Sequence, residues 1–242
     1  MTGIILAAGK SKRMGLSHSK VLLPLKGRPV LAWIIELAQK AHLNPIIVVI
    51  SPNNLEIKDN FIQYGVQFVI QPEAKGTADA VRVCAPLLSD KDDILVLYGD
   101  VPLLKLATIK ELIDAFYKEN ADATILTAVL DDPACYGRIV RDDNQKIIAI
   151  VEYKDAGPEI KKIKEINTGV YAFRFAKLKP ILETLPASPK DGEYYLTSAL
   201  TEIIKQGGKV NSVRTKTPEE SFGINTPEEW ERVKNLFNNQ YD

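Results

Sequence analysis

Five consecutive β-branched aliphatic residues, Ile46-Ile-Val-Val-Ile50, constrain this chain more than any other stretch. Successive side chains of a strand point to opposite faces, so a run that is apolar at every position is covered on both sides. The strand holding it is expected over Pro45–Ile50, and related runs recur at Gly3–Ala7, Gln67–Ile70, Ile94–Tyr98 and Ala123–Leu130. Amphipathic helical patterns lie between them at Pro29–Ala41, Thr77–Leu88 and Thr108–Glu119. Apolar strands alternating with helices predict an α/β fold with a Rossmann-like, doubly wound, mostly parallel sheet. Ligands of such sheets bind beyond the C-terminal ends of the strands.

The pattern changes after Leu130. Residues 131–165 are charged and turn-rich, with short strands expected near Gly137–Val140 and Lys146–Glu152. The segment Glu159–Glu165 reads as a short helix or a mobile flap. A strand returns at Asn167–Phe173, followed by helices at Ala176–Leu185 and Leu196–Gln206 and a strand at Lys209–Val213. Thr226 as N-cap, Pro227 behind it and two glutamates in the first turn open a last helix. The polar tail from Asn235 to Asp242 is expected to fray. The chain of 242 residues reads as a single domain, with about 131–200 forming an inserted, substrate-facing lobe.

Two strand ends carry candidate chemistry. Ile4–Ala8 runs into Gly9, then Lys10, Lys12 and Arg13, with Lys20 close behind. Small residues let backbone N–H groups approach a polyphosphate, and the cations would neutralise it. Five residues separate Gly3 from Gly9, where a P-loop has four between its first Gly and Gly-Lys-Ser/Thr. The competing reading is an ordinary turn with a solvated basic face. The second end is Tyr98-Gly99-Asp100, where an aspartate at a strand tip is either a turn former or a hard oxygen ligand. Both ends fall on one edge of the expected sheet.

Composition narrows the partners. Thirty-one basic and thirty-one acidic residues cancel, so no global field favours nucleic acid or an anionic membrane. Cys84 and Cys135 form no C-x-x-C and the two histidines lie far from both, which argues against zinc. Cys84 sits in an apolar helical pattern and is expected in the core; Cys135 is expected in a loop as a free thiol. Two cysteines and no signal peptide suit a reducing cytoplasm. The longest apolar runs are strand-length, so no membrane span is expected, and no feature marks an oligomeric state.

Leu6-Ala-Ala-Gly-Lys-Ser-Lys-Arg-Met14 followed by Lys20-Val-Leu22 resembles the signature of nucleotidyltransferases that make nucleotide sugars. Tyr98-Gly-Asp-Val-Pro-Leu103, Tyr136-Gly-Arg-Ile139, Val151-Glu152, Glu165-Ile-Asn-Thr-Gly169 and Glu193-Tyr-Tyr-Leu-Thr197 narrow the resemblance. Together they are similar to the uridylyltransferase domain of bacterial N-acetylglucosamine-1-phosphate uridylyltransferases, from Leu6 to Asn225. The resemblance implies a nucleotide-diphospho-sugar transferase fold and Mg²⁺-dependent transfer of a uridylyl group from UTP to the sugar-1-phosphate. It implies that Leu6, Ala7, Ala8 and Gly9 wrap the nucleotide, helped by Tyr98 and Gly99. Arg13 and Lys20 would be catalytic, neutralising the triphosphate and the charge growing at phosphorus. Gln71, Gly76 and Thr77 would meet the uracil. Asp100 and Asn225 would hold Mg²⁺. Gly137, Glu152, Asn167, Tyr195 and Thr197 would face the amino sugar.

The chain departs from that pattern at Ser11-Lys12, at Ser19 in place of Pro, at Asp79 in place of His and at Ser198 in place of an acid. No hexapeptide repeat follows Asn225, so uridylyl transfer without acetyl transfer is the expectation. A transferase of the same fold using CTP or another sugar phosphate is the nearest alternative. A nucleotide-sugar binding module without turnover is the alternative from another class.

Overall fold

The structure, a computed structural model, describes residues 1–9, 11–16 and 18–241. Its strands are β1 (Thr2–Leu6), β2 (Pro24–Leu25), β3 (Arg28–Pro29), β4 (Ile46–Ile50), β5 (Gln67–Ile70), β6 (Asp93–Tyr98), β7 (Ala123–Val129), β8 (Arg138–Arg141), β9 (Ile147–Val151), β10 (Glu165–Arg174) and β11 (Val210–Arg214). Its α-helices are α1 (Val30–Lys40), α2 (Glu56–Phe61), α3 (Thr77–Arg82), α4 (Leu106–Lys118), α5 (Pro158–Lys161), α6 (Phe175–Thr184), α7 (Leu196–Lys205) and α8 (Pro227–Tyr241). The main sheet runs β11-β7-β10-β6-β1-β4-β5, with β8 added to β10 and β9 to β8. Pairing is parallel for β1–β4, β1–β6, β4–β5 and β7–β11. Along that path β10 alone is reversed, antiparallel to both β6 and β7. The fold is thus the expected mostly parallel, Rossmann-like α/β sheet.

The all-apolar strands are explained by two cores, one on each face. Ile46, Val48 and Ile50 of β4 enter one cluster with Leu31, Ile34 and Ile35 of α1. Ile47 and Val49 enter the other, with Val81 of α3 and Leu200 of α7. The same alternation divides Leu95 and Leu97 of β6 from Ile94 and Val96. Each such side chain, fully buried, contributes about 1.5–3 kcal/mol of transfer free energy. Among the described residues no helix is long and apolar enough to cross a membrane.

Several expectations needed correction. The helix expected over Thr77–Leu88 stops at Arg82; Pro86 follows in a 3₁₀ turn, Ala85–Leu87, because proline cannot donate the next helical hydrogen bond. The expected helix or flap at 159–165 is a single turn, α5, and Glu165 already belongs to β10. The tail does not fray at Asn235: α8 continues to Tyr241. Phe237 anchors it, fully buried, with its ring 4.9 Å from that of Trp33 in an edge-on contact. Asp242 lies outside the described residues. Cys84 is buried as expected, and its thiol is pushed up to about 12 by burial; Cys135 is an exposed free thiol.

The chain leaves β1 for β4 on one side and later returns to β6 on the other. The C-terminal ends of β1 and β6 therefore flank the point at which strand order reverses, the position where open α/β sheets leave a crevice.

Candidate active site

A cavity of about 610 Å³ opens at that reversal point. The loop after β1 forms one wall, with Leu6, Ala7, Ala8 and Gly9 lining it. Arg13, from a 3₁₀ turn at Lys12–Met14, is exposed on the same wall. Lys10 and the side chain of Lys12, also expected there, lie outside what is described. Ser11 holds the loop: its hydroxyl oxygen accepts the Lys20 backbone N–H at 2.9 Å. Ser11 is thus a fastening in a loop where the sequence suggested only a departure. Gly99 is not on the lining. Its N–H donates to the Leu6 carbonyl at 2.9 Å, and an added Cβ would sit 3.2 Å from that oxygen. Its small size serves the close approach of β6 to β1.

Lys20, Asp100 and Asn225 come together from three distant parts of the chain. The Lys20 ammonium forms an ion pair with Asp100 Oδ2 and donates to Asn225 Oδ1 at 2.7 Å. Both side chains of the ion pair are nearly buried, at 13% and 10% exposure, so the contact is shielded from the screening that weakens surface pairs. Asn225 is fixed by the start of α8: its backbone N–H donates to Glu229 Oε2 at 2.7 Å, and the Thr226 hydroxyl accepts the Glu229 N–H at 3.3 Å. The capping signal read from Thr226-Pro-Glu-Glu therefore also sets a site residue. The two segments are joined by the main chain, with Ile224 N–H donating to Asp100 O at 3.1 Å.

Gln71 follows β5 and is buried against the start of α3, where its Nε2 donates to Gly76 O at 3.1 Å and to Asp79 Oδ2 at 2.8 Å. Thr77 and Gly76 also line the cavity. Gly76 has a backbone that L side chains rarely adopt, φ +98°, and a Cβ there would overlap the main chain of Tyr194. The two segments are laced together: Tyr194 N–H donates to Lys75 O at 2.7 Å, Ala78 N–H to Tyr194 O at 2.9 Å, and Leu196 N–H to Thr77 Oγ1 at 3.0 Å. Gly76→Ala is therefore expected to cost about 2 kcal/mol or more, lowering Tm by roughly 4–8 °C. Thermal unfolding of the variant against the unaltered chain checks the effect.

At the far end the cavity is lined by Gly137, Glu152 and Asn167. Asn167 N–H donates to Gly137 O at 2.9 Å, placing β8 and β10 side by side there. The Asn167 amide is used internally, donating to the Tyr171 hydroxyl at 2.7 Å and accepting Gly169 N–H at 2.9 Å. Burial raises the Glu152 carboxyl above its ordinary range, and the Thr197 hydroxyl, donating to Oε1 at 2.8 Å, works against that shift. Thr197 is thus behind Glu152, not on the lining. Tyr195 is also set back, with its hydroxyl 2.6 Å from Asp191 Oδ2 and bonded to Lys154. Residues given no role from the sequence also line the cavity, Tyr136, Gly169 and Glu193 among them. Gly169, with φ +86°, leaves room for the ring of Tyr98, which a Cβ would overlap. Its place in Glu165-Ile-Asn-Thr-Gly169 was the available signal.

A doubly wound sheet thus sets a loop of small residues and a nearly buried lysine at its reversal point, an arrangement suited to an anionic ligand. The chain belongs to the family of MobA-like NTP transferase domains, whose profile matches residues 3–155. It is 37% identical over 226 residues to bifunctional protein GlmU of Caldanaerobacter subterraneus subsp. tengcongensis, covering 93% of this chain and 49% of that protein. It is 42% identical to bifunctional protein GlmU of Burkholderia orbicola, with the same two coverages. The resemblance read from the motifs therefore holds, and the chain spans about half the length of these relatives. Among solved structures, a Bacillus anthracis protein described as a candidate glucose-1-phosphate thymidylyltransferase, in complex with a sucrose, shares the fold. It superposes with a TM-score of 0.79 at 22% identity, covering 98% of this chain and 95% of that one.

Proposed function

We propose that the chain transfers the uridylyl group of UTP to N-acetylglucosamine-1-phosphate, giving UDP-N-acetylglucosamine and pyrophosphate. The observation that carries this reading is a single cavity with two chemically different ends. One has a lysine between two hard oxygen donors, and the other a carboxylate beside small and amide residues. A sugar-phosphate oxygen forms a bond to the α-phosphorus of UTP while the bond from that phosphorus to the bridging oxygen breaks. Pyrophosphate leaves in line. Such a transfer needs positioning and charge neutralisation, not a nucleophilic side chain.

Asp100 and Asn225 are the residues proposed to hold Mg²⁺. Their oxygens converge on one cation already, the Lys20 ammonium, so their geometry suits an ion. Among the described residues no group of three or more His, Cys, Asp or Glu could hold a metal alone. That donor set suits Mg²⁺, which takes one or two protein oxygens and completes its shell with water and substrate phosphates. Bound there, the ion would supply charge stabilisation at the phosphates. Lys20 and Arg13 add fixed positive charge on the same wall. Glu152 accepts hydrogen bonds from the sugar hydroxyls or amide. Free thiols at Cys84 and Cys135 support a reducing cytoplasm as the compartment.

A pyrophosphate-release screen of UTP, CTP, dTTP and GTP against a panel of sugar-1-phosphates tests the reading. The expected result is turnover with UTP and N-acetylglucosamine-1-phosphate, at least about a hundredfold above CTP, since a mismatched base leaves buried hydrogen-bonding groups unpaired. Glucosamine-1-phosphate is expected to be a poor substrate. Equal turnover with UTP and CTP would refute uracil selectivity, and no pyrophosphate from any pair would refute the transferase reading.

A further inference from the structure

We infer that Asp79 is a positioning residue that sets which end of the Gln71 amide meets the base. Gln71 is buried, and both hydrogens of its NH₂ are used within the protein, on Gly76 O at 3.1 Å and Asp79 Oδ2 at 2.8 Å. A carboxylate accepts and does not donate, so Asp79 can face only the nitrogen of that amide. The amide oxygen is thereby left as the acceptor for whatever enters the cavity that Gln71 lines; among the described residues no donor takes it.

Asp79 is itself locked. It is 7% exposed, and its other oxygen forms an ion pair with Arg82 one turn along α3. The Arg82 guanidinium stacks over the Tyr194 ring at 4.7 Å and donates to Leu182 O at 3.5 Å. A chain of contacts from Tyr194 through Arg82 and Asp79 therefore holds one amide in one orientation.

An outward-facing oxygen chooses between pyrimidines. Uracil carries N3–H, a donor that the Gln71 oxygen can accept. Cytosine carries a bare N3 lone pair, and two acceptors facing each other in a buried site repel and stay unpaired. The inference rests on the uridylyl reading above and adds the reason for its base selectivity: Asp79, with the Gly76 carbonyl, imposes the polarity and Gln71 presents it.

Two substitutions separate orientation from mere support. In Asp79→Asn, the new amide can keep its oxygen on Arg82 and turn its NH₂ toward Gln71, which works against the Gly76 carbonyl and raises the share of flipped glutamine with a donor facing the base. In Asp79→Ala no such donor is supplied, and the Gly76 carbonyl still holds the amide nitrogen. Binding of UDP and CDP to wild type and both variants is measured by calorimetry, with circular dichroism confirming that each is folded. Wild type is expected to prefer UDP. Asp79→Asn is expected to narrow that preference by about tenfold or more, while Asp79→Ala, the larger deletion, narrows it less. An equal loss in both variants, or a larger loss in alanine, makes Asp79 a support only and overturns the inference, as does an unchanged preference in Asp79→Asn or no preference in wild type. If wild type binds UDP selectively yet releases no pyrophosphate from any substrate pair, the transferase reading fails while the amide assignment is still decided by binding.

Discussion

Asp100→Asn is expected to lower turnover by about two to three orders of magnitude, the range seen when one preorganised electrostatic group is removed from an enzyme's active site. The substitution keeps the size of the side chain and an oxygen to accept from Lys20, so the fold should persist. What disappears is the negative charge that faces Lys20 now and that would face a divalent cation with substrate bound. The dependence of rate on Mg²⁺ concentration should therefore shift to higher concentration along with the loss in kcat. Pyrophosphate release measured across an Mg²⁺ titration, with circular dichroism as the folding control, reads both. Near-normal turnover with an unchanged Mg²⁺ dependence would sink the assignment.

Lys20→Ala is expected to reduce kcat by about a hundredfold or more while raising the KM for UTP far less. The ammonium sits at the reversal point of the sheet, where the phosphates of a bound nucleotide would lie, and charge grows there only as the bond to phosphorus breaks. A group that acts on growing charge lowers the barrier more than it tightens the ground state. Steady-state kinetics with UTP varied decide the split. A change confined to KM would make Lys20 a tether for the nucleotide.

The half of the fold built on parallel strands was legible because burial on both faces leaves short, β-branched, all-apolar runs between helical patterns. Ile46–Ile50 feeds two cores from alternate residues, so the run itself declares the sandwich of helices. The end of β1 and the end of β6 could be placed on one edge from the same reasoning. The reversal of β10 was not legible, because a strand's direction is set by the connection that delivers it and not by its own residues. Helix α2 was missed because it has only six residues and buries just Ile57 and Phe61. The last turns of α8 were misread because single apolar residues in a polar tail look solvent-facing until Trp33, some 200 residues away in sequence, supplies their partner.

In the site, residue types were easier to read than attachments. Lys20, Asp100 and Asn225 each stood out in a motif, but their common meeting point depends on tertiary closure between segments at positions 20, 100 and 225. Gly99 and Thr197 are placed at the ligand only by the motifs that carry the resemblance. One in fact packs β6 on β1, and the other donates to Glu152 from behind. Asp79 looked like an awkward replacement in a helix start until its oxygens were seen to be shared between Gln71 and Arg82.

The reversed strand separates two kinds of change. Because β10 runs against β6 and β7, its first residues, not its last, reach the edge where the parallel strands end. The stretch between Glu152 and Glu165 therefore leaves that edge and comes back to it as a surface excursion, bearing only the single turn α5 and burying little beyond Ala156. Its length and composition can drift without shifting the register of any strand that carries the nucleotide end. No residue of the excursion itself lines the cavity, so such drift would leave the cavity wall, carried by the strand ends on either side of it, as it is.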